Sequence, residues 1–194
     1  MRVPSIPSDQ QASVSTPTLS RRGFITACAA AASSLIVPGA YAGIRQQGER
    51  QLALHHLHTG ERSRVTYWAD GDYLIDGLKE VNHLLRDHRT GDHHRMDPAL
   101  LDLLHAVQEK IGCSGEFHVI SGYRSPKTNR MLSNKSGGVA KRSLHMDGKA
   151  IDIRLTGCDI KHLHRAAKSL RVGGVGLYTR SNFVHVDTGR VRYW

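Results

Sequence analysis

Two short segments near the C-terminus alternate apolar and polar residues, and this alternation constrains the fold more than any other feature of the sequence. The first segment spans residues 149–155 (KAIDIRL) and the second spans residues 183–187 (FVHVD). Because successive side chains of a β-strand point to opposite faces of a sheet, the alternation predicts two strands that each bury one face.

The same alternation places the polar side chains of both strands on one open face of the sheet. Asp152 and His185 share this face, and Ala150 leaves space beside them. His145 lies in the loop just before the first strand, where Gly148 allows the chain to turn. The residues that should face the core instead are Ile151, Ile153, Leu155, Val184 and Val186.

Two imidazoles and one carboxylate form a ligand set that hydrolytic zinc sites commonly use, with a fourth position left for water. Zinc lowers the pKa of such a water from about 15.7 to about 7. His145, Asp152 and His185 therefore predict a Zn²⁺ site. The chain has 13 histidines, so a metal site from another group, such as His55 and His56, stays open. We expect those histidines, together with His58, on the surface.

The remaining patterns predict both helices and strands. Residues 51–69 read as two strands around a turn, residues 72–90 as an amphipathic helix and residues 159–171 as another helix. A further helix should start at Asp97 as its N-cap, with Pro98 in its first turn, and end at Gly112. Residues 126–143 read as a polar loop. Together these elements predict an α+β domain with a small, largely antiparallel sheet.

The N-terminal region has the features of an export signal. Residues 1–19 are polar, and we expect them to be disordered. The twin-arginine segment SRRGFI follows, and then a short apolar run that ends in the small-residue cleavage site Ala40-Tyr41-Ala42. The alternative is an uncleaved anchor helix, but the run is short for a membrane span. We expect a signal in residues 1–42, a mature domain in residues 43–194 without a stable transmembrane segment, and a periplasmic location.

Charge and cysteine content limit the partners and the redox state. Lys and Arg outnumber Asp and Glu by 27 to 17, which gives a formal charge of +10 and suits an anionic polymer or membrane surface. No basic run is interleaved with aromatic residues, so we do not expect nucleic acid as a partner. Cys113 and Cys158 could form a disulfide in an oxidising compartment, or could equally remain unpaired and buried.

Three segments resemble the motifs of zinc D-alanyl-D-alanine metallopeptidases. The segment SLHMDGKAID resembles their Ser-x-His-x-x-Gly-x-Ala-x-Asp motif, VHVD the motif with the last histidine ligand, and SGYRS the segment with an arginine near the substrate. This group shares its fold with lysostaphin-type enzymes and the hedgehog signalling domain. The chain is still more similar to the twin-arginine-exported murein endopeptidase K type, through LHHLHTGE, GVAKRSLH, GGVGLYTRSNFVHVDTG and the terminal Trp194.

The resemblance implies a hedgehog-like α+β fold and an activity. It covers nearly the whole chain after the signal and implies a murein endopeptidase that binds Zn²⁺ through His145, Asp152 and His185. Arg124 matches the arginine that stabilises the developing oxyanion or holds the substrate. The implied substrate is the peptide cross-link of peptidoglycan. A D,D-carboxypeptidase that trims terminal D-alanine and a non-catalytic, zinc-containing wall-binding module remain alternatives.

The chain departs from the related peptidases at the general base. They often place Glu or Asp three residues before the last histidine ligand, or His two residues before it, where this chain has Asn182 and Phe183. Asp187 lies on the same face as His185 and is one candidate base, although it could instead orient the histidine ring. Asp147 is the second candidate.

Overall fold

The structure is a computed structural model that describes residues 48–135 and 139–194. The twin-arginine segment and the cleavage site at residues 1–42 lie outside the described residues, so the export signal stays a prediction. Among the described residues, no helix combines the length and the hydropathy that crossing a bilayer requires.

The described residues form eight strands and four α-helices, which confirms the α+β class. The strands are β1 (Arg50–His56), β2 (Arg62–Ala69), β3 (Asp72–Tyr73), β4 (Phe117–Ser121), β5 (Ala150–Leu155), β6 (Gly174–Tyr178), β7 (Phe183–Asp187) and β8 (Arg192–Tyr193). The helices are α1 (Ile75–Leu84), α2 (Pro98–Ile111), α3 (Pro126–Lys135) and α4 (Ile160–Ser169), and a 3₁₀ helix spans Leu144–Asp147.

All eight strands belong to one sheet, in the order β3-β2-β1-β4-β5-β7-β6-β8. Only β1–β4 and β6–β8 are parallel pairs among the described strands, so the sheet is largely antiparallel, as predicted. The central pairing of β4, β5 and β7 matters most for function, because β5 and β7 carry two of the predicted metal ligands.

One face of the sheet forms the hydrophobic core with α1, α2 and α4. The alternation in the two late strands is confirmed, because the apolar side chains of β5 and β7 are buried on this face while Asp152 and His185 lie on the other. The core side chains from the strands include Leu52, Leu54, Phe117, Val119, Ile151, Ile153, Val175, Val184 and Val186. The polar face of β5 and β7 is therefore left free to build a site.

The predicted ends of α2 are confirmed. The carboxylate of Asp97 accepts a hydrogen bond from the backbone N–H of Ala99 at 3.0 Å, and Gly112 ends the helix in the left-handed region at φ 70°. The helix predicted for residues 72–90 buries fewer of its apolar side chains than expected. Ile75 is 70% exposed at the first turn of α1, whereas Val81 and Leu84 are buried.

The prediction of a loop over residues 126–143 is wrong for its first part, which forms α3. The hydroxyl of Ser125 accepts from the backbone N–H of Thr128 at 3.2 Å, and Pro126 occupies the first turn. The buried residues of α3 are Thr128 and Asn129, which are polar. A helix that buries polar side chains has no apolar periodicity, so the pattern that revealed the other helices was missing here.

The two cysteines among the described residues each lie next to the end of a core helix. Cys113 follows α2 and Cys158 precedes α4, and each is half-buried with a free thiol. The two thiols are therefore unpaired in the structure, as in the second alternative, but they are half-buried and not buried.

Candidate metal centre

His145, Asp152 and His185 come from three elements and meet on the polar face of the sheet. Asp152 in β5 and His185 in β7 are direct partners of the antiparallel pair, so their side chains share a face. His145 belongs to the 3₁₀ helix, which ends at Gly148 with φ 67°. A Cβ atom on Gly148 would lie 2.3 Å from the carbonyl oxygen of Arg95, so glycine is required for this turn into β5.

The three side chains converge closely, and we call them the buried cluster. Nε2 of His145 lies 3.3 Å from Nδ1 of His185 and 3.4 Å from Oδ1 of Asp152. Nδ1 of His185 lies 2.9 Å from the same oxygen of Asp152. The residues are 3%, 6% and 8% exposed, in chain order. One potential ligand atom from each of these three buried residues therefore lies within 4.8 Å of the others.

The outward nitrogen of each imidazole is already hydrogen-bonded, which fixes its proton. Nδ1 of His145 lies 2.8 Å from the carbonyl oxygen of Gly122, which can only accept, so Nδ1 donates. Nε2 of His185 lies 2.9 Å from Oδ2 of Asp187 and donates to that carboxylate. The inward nitrogens face Asp152, and they become lone-pair donors to a metal ion once it displaces the proton that Nδ1 of His185 shares with Asp152. This donor set fits a zinc-type cation, because the ligands point inward and their outer hydrogen bonds orient them.

Electrostatics favour a cation at the same point. Burial by itself would raise the pKa of Asp152, but His145 and His185 hold it well below its ordinary value, so the carboxylate is charged. Burial lowers the pKa of His185, and its hydrogen bonds to Asp152 and Asp187 outweigh this and raise it. The pair of carboxylates on either side of His185 therefore makes the cluster attractive to positive charge.

Asp187 is completely buried behind His185 and binds four donors. Besides His185, it accepts from the backbone N–H groups of Gly174 and Gly189, both at 2.9 Å, and from the guanidinium of Arg192 at 2.7 Å. Burial opposes ionisation, yet these hydrogen bonds hold the pKa of Asp187 well below its ordinary value. A carboxylate with this many donors is a poor proton acceptor, and its contacts favour the orienting role over the base.

Arg124 lies on the wall of a cavity of about 210 Å³ above the buried cluster. It is 9% exposed, and its Nη2 lies 3.7 Å from Oδ2 of Asp152. Long hydrogen bonds to Ser121 (3.4 Å) and Asn129 (3.5 Å) position the guanidinium, while its Nε has no hydrogen-bond partner among the described residues. Burial lowers the pKa of Arg124, although the neighbouring Asp152 opposes this, and an arginine retains its charge at neutral pH.

An aromatic wall closes another side of the cavity. Trp194 follows β8 and donates from Nε1 to the hydroxyl oxygen of Tyr178 at 2.8 Å, and its ring centre lies 5.3 Å from that of His185. Sequence reasoning noted Trp194 only as a terminal match and did not single out Tyr178, Arg142 or Arg192. The cavity is lined by Arg124, Val139, Ala140, Arg142, Ser143, Leu144, His145, Asp152, Tyr178, Phe183, His185, Arg192 and Trp194.

Two other sequence-predicted groups lie away from this cavity. Asp147 is exposed on the 3₁₀ helix and does not line the cavity. The expectation that His56 lies on the surface is wrong, because it is completely buried. Its Nδ1 accepts from the backbone N–H groups of His58 and Thr59 at 3.3 Å, and burial lowers its pKa to about 4. His56 therefore stabilises the turn after β1.

A buried pair of imidazoles with a carboxylate, beneath a cavity with an arginine on its wall, is typical of hydrolytic metalloenzymes. The comparison with known families agrees with this class. A family model of M15-type peptidases, described as peptidoglycan L,D-endopeptidase MepK, matches residues 45–194, and the chain belongs to this family. The expectation of an enzyme of the peptidase class is thereby confirmed.

Curated relatives support the assignment over most of the chain. Peptidoglycan L,D-endopeptidase MepK of Escherichia coli K12 is 39% identical over 175 residues, which cover 90% of this chain and 96% of the relative. The probable peptidoglycan L,D-endopeptidase MepK of Haemophilus influenzae is 44% identical over 146 residues, which cover 75% of this chain and 78% of the relative. No solved structure is significantly similar to the chain.

Proposed function

We propose that this protein is a zinc-dependent murein endopeptidase that hydrolyses peptide cross-links of peptidoglycan. The observation that carries the proposal is the convergence of His145, Asp152 and His185 beneath a cavity, in a chain of this peptidase family. The names of the relatives specify an L,D-endopeptidase, and we infer the same bond type here.

In this proposal, Nε2 of His145, Nδ1 of His185 and a carboxylate oxygen of Asp152 would hold the zinc ion. The chemistry that zinc supplies when bound is Lewis-acid catalysis, which polarises a carbonyl group and makes water more acidic. The residues of this chain orient the two imidazole ligands. Gly122 and Asp187 accept the outer protons of the two imidazoles, and so hold both rings with their inner nitrogens directed at one point.

Arg124 binds the substrate carbonyl oxygen as negative charge develops on it. Its guanidinium is prepositioned by Ser121 and Asn129, and its Nε–H has no protein acceptor among the described residues. A buried donor without an acceptor is unfavourable until a substrate oxygen meets it. Positioned cationic donors of this kind stabilise an oxyanion more than they stabilise the neutral ground state.

Asp187 serves as the positioning residue for His185 in this mechanism, and it is not the base. Asp147 also does not face the cavity. Among the described residues that line the cavity, the carboxylate and imidazole groups are those of the buried cluster itself, so the lining offers no separate acidic side chain that would accept the proton of the attacking water.

We further propose that the protein acts in the periplasm. The twin-arginine segment and the cleavage site at residues 1–42 support export by the twin-arginine route, which would leave residues 43–194 as the mature peptidase. The excess of basic residues suits an anionic wall polymer as the partner.

A digestion of defined muropeptides tests the proposal. Purified protein supplied with zinc should shorten cross-linked muropeptide dimers, and both chelation and His185→Ala should stop the reaction. His105→Gln is a matched control, because His105 pairs with Glu109 on α2 and does not line the cavity. This control should retain activity. Unchanged dimers with intact, zinc-loaded protein would contradict the endopeptidase assignment.

The same assay separates the two alternatives. A D,D-carboxypeptidase would leave the cross-links intact and release terminal D-alanine from monomers. A wall-binding module would leave both substrates intact but would sediment with isolated sacculi. We expect cleavage of the dimers alone.

A further inference from the structure

A second group of two histidines and one carboxylate lies further along the sheet. His55 in β1 and His118 in β4 are direct partners of the parallel pair, so their side chains lie side by side on one face. Glu116 comes just before β4 and reaches the same place. We call His55, Glu116 and His118 the β1–β4 cluster.

The donor atoms of this cluster face one another across the strand pair. Oε2 of Glu116 lies 3.7 Å from Nδ1 of His55 and 3.6 Å from Nε2 of His118. One ligand atom from each residue lies within 4.8 Å of the others. Among the described residues, this spacing is found for these three residues and for the buried cluster. The spacing is wide enough to admit an ion and too wide for hydrogen bonds between the side chains.

One nitrogen of the β1–β4 cluster has no hydrogen-bond partner. Nδ1 of His55 is shielded from solvent, and no described residue donates to it or accepts from it. An unpaired buried polar atom costs free energy, and most such atoms in folded proteins are paired. The Glu116 carboxylate faces this nitrogen at 3.7 Å, beyond hydrogen-bond distance. A cation between the two would satisfy the nitrogen and the carboxylate together.

We propose that His55, Glu116 and His118 bind a divalent transition metal ion of the zinc type, separately from the catalytic site. Imidazole and carboxylate together suit zinc and its neighbours in the first transition row. The cluster shares no residue with the buried cluster or with the lining of its cavity. The ion links β1 to the start of β4, so its binding stabilises the parallel pair at the centre of the sheet.

Two neighbours compete with the metal. Nε of Arg62 lies 4.0 Å from Oε2 of Glu116, and Oγ1 of Thr156 lies 3.3 Å from Nε2 of His118. Because the Thr156 hydroxyl already donates to the carbonyl of Glu116, Nε2 of His118 donates its proton to Thr156 when no metal is bound. The metal must displace that proton and weaken the Arg62 contact, so this site binds less tightly than the buried cluster.

Metal stoichiometry tests the proposal without reference to activity. Equilibrium dialysis of the purified protein against zinc, followed by elemental analysis, should give two zinc ions per chain, one for each group. His118→Gln and Glu116→Gln should each lose the weaker ion and keep the tighter one. His185→Gln should lose the tighter ion and keep the weaker one. His105→Gln, which changes a histidine outside both groups, should keep both ions.

A nuclear magnetic resonance measurement locates the ion. In ¹H–¹⁵N spectra of the imidazoles recorded in His185→Gln, added zinc should shift the ring resonances of His55 and His118 and leave those of His105 unchanged. Circular dichroism of Glu116→Gln, a conservative change, shows whether the fold is retained. A folded Glu116→Gln variant that still binds two ions, or wild-type protein that binds one, would overturn the proposal.

Discussion

The buried cluster and the β1–β4 cluster each combine two histidines with one carboxylate, but the hydrogen bonds that support their ligands differ. In the buried cluster, the outer nitrogen of each histidine is hydrogen-bonded, to Gly122 or to Asp187. In the β1–β4 cluster, the unpaired Nδ1 of His55 is instead the nitrogen that faces Glu116, and no described residue forms a hydrogen bond behind His55 or His118, at Nε2 of His55 or Nδ1 of His118. The side chains also differ in burial, because those of Glu116 and His118 are 27% and 30% exposed, whereas the side chain of Asp152 is 9% exposed.

This difference in hydrogen bonding explains why the buried cluster should bind a metal ion more tightly than the β1–β4 cluster. Hydrogen bonds behind the ligands fix the tautomer and the ring orientation, and they typically contribute 10- to 100-fold in metal affinity. A cluster without such support can bind an ion, but its ligands must first be ordered and an arginine displaced. We therefore expect the two clusters to respond differently to the same kind of substitution.

The largest effect should come from removing the charge at the centre of the buried cluster. Asp152→Asn keeps the side-chain shape but removes the carboxylate that lies between the two imidazoles and opposite Arg124. We expect cleavage of muropeptide dimers to fall by about 10³-fold, equivalent to about 4 kcal/mol of activation free energy. Zinc dialysis should show loss of the tighter ion. Retention of both zinc and activity would show that Asp152 is not a ligand.

The parts of the buried cluster that follow local rules were predictable from sequence. The alternation in residues 149–155 and 183–187 shows which side chains leave the core, and antiparallel pairing then places Asp152 beside His185. The ends of α2 were predictable for a similar reason, because Asp97 and Gly112 act on their own turns.

The β1–β4 cluster was not predictable in this way. It depends on parallel pairing between strands that are distant in the chain, and hydrophobic periodicity within one segment does not specify the partner strand. Sequence reasoning grouped His55 with its neighbours His56 and His58 and did not connect it with His118. The support from Arg192 behind Asp187 was missed for the same reason, since it depends on β8 lying beside β6.

A smaller effect should come from the support behind His185. In Asp187→Asn, an amide oxygen can still accept from Gly174 and Gly189, but the amide nitrogen then faces the donors of His185 and Arg192. The His185 proton would be driven to Nδ1, the nitrogen that faces the cluster. We expect zinc affinity to fall about 10- to 100-fold and the free energy of unfolding to fall by about 2 kcal/mol.

Competition with a fluorescent zinc chelator and urea denaturation measure these two quantities. Asp147→Asn is the matched control, because Asp147 is exposed and does not line the cavity. If Asp187→Asn binds zinc as tightly as this control does, then the hydrogen bond to His185 does not support the metal centre.

A still smaller effect is expected from the aromatic wall beside the buried cluster. A Cβ atom on Gly176 would lie 2.5 Å from the ring of Trp194, so Gly176→Ala must displace this ring from beside His185. We expect kcat/KM to fall by about 3- to 10-fold, or about 1 kcal/mol, with zinc affinity unchanged. The double variant with Trp194→Phe should lose less activity, relative to Trp194→Phe alone, because a smaller ring relieves the overlap. An equal loss in both backgrounds would contradict this cause.

The smallest effect should strengthen the β1–β4 cluster. Nε of Arg62 lies 4.0 Å from Oε2 of Glu116, and the Arg62 side chain is 63% exposed, so its attraction for the carboxylate is weak and screened. Arg62→Gln removes a competing cation, and we expect zinc affinity at this cluster to rise about 2- to 5-fold, the range that an exposed ion pair of up to about 1 kcal/mol allows.

Arg64→Gln is the control that separates the loss of net charge from the loss of competition for Glu116. Arg64 lies two residues further along β2 and contacts Gln51 at 3.5 Å, so its replacement removes the same charge while Arg62 stays beside Glu116. Calorimetric zinc titrations in the His185→Gln background should show the rise for Arg62→Gln and little change for Arg64→Gln. An equal rise in both would mean that net charge, and not competition for Glu116, sets the affinity. The weak binding of the β1–β4 cluster would then follow from its exposure alone.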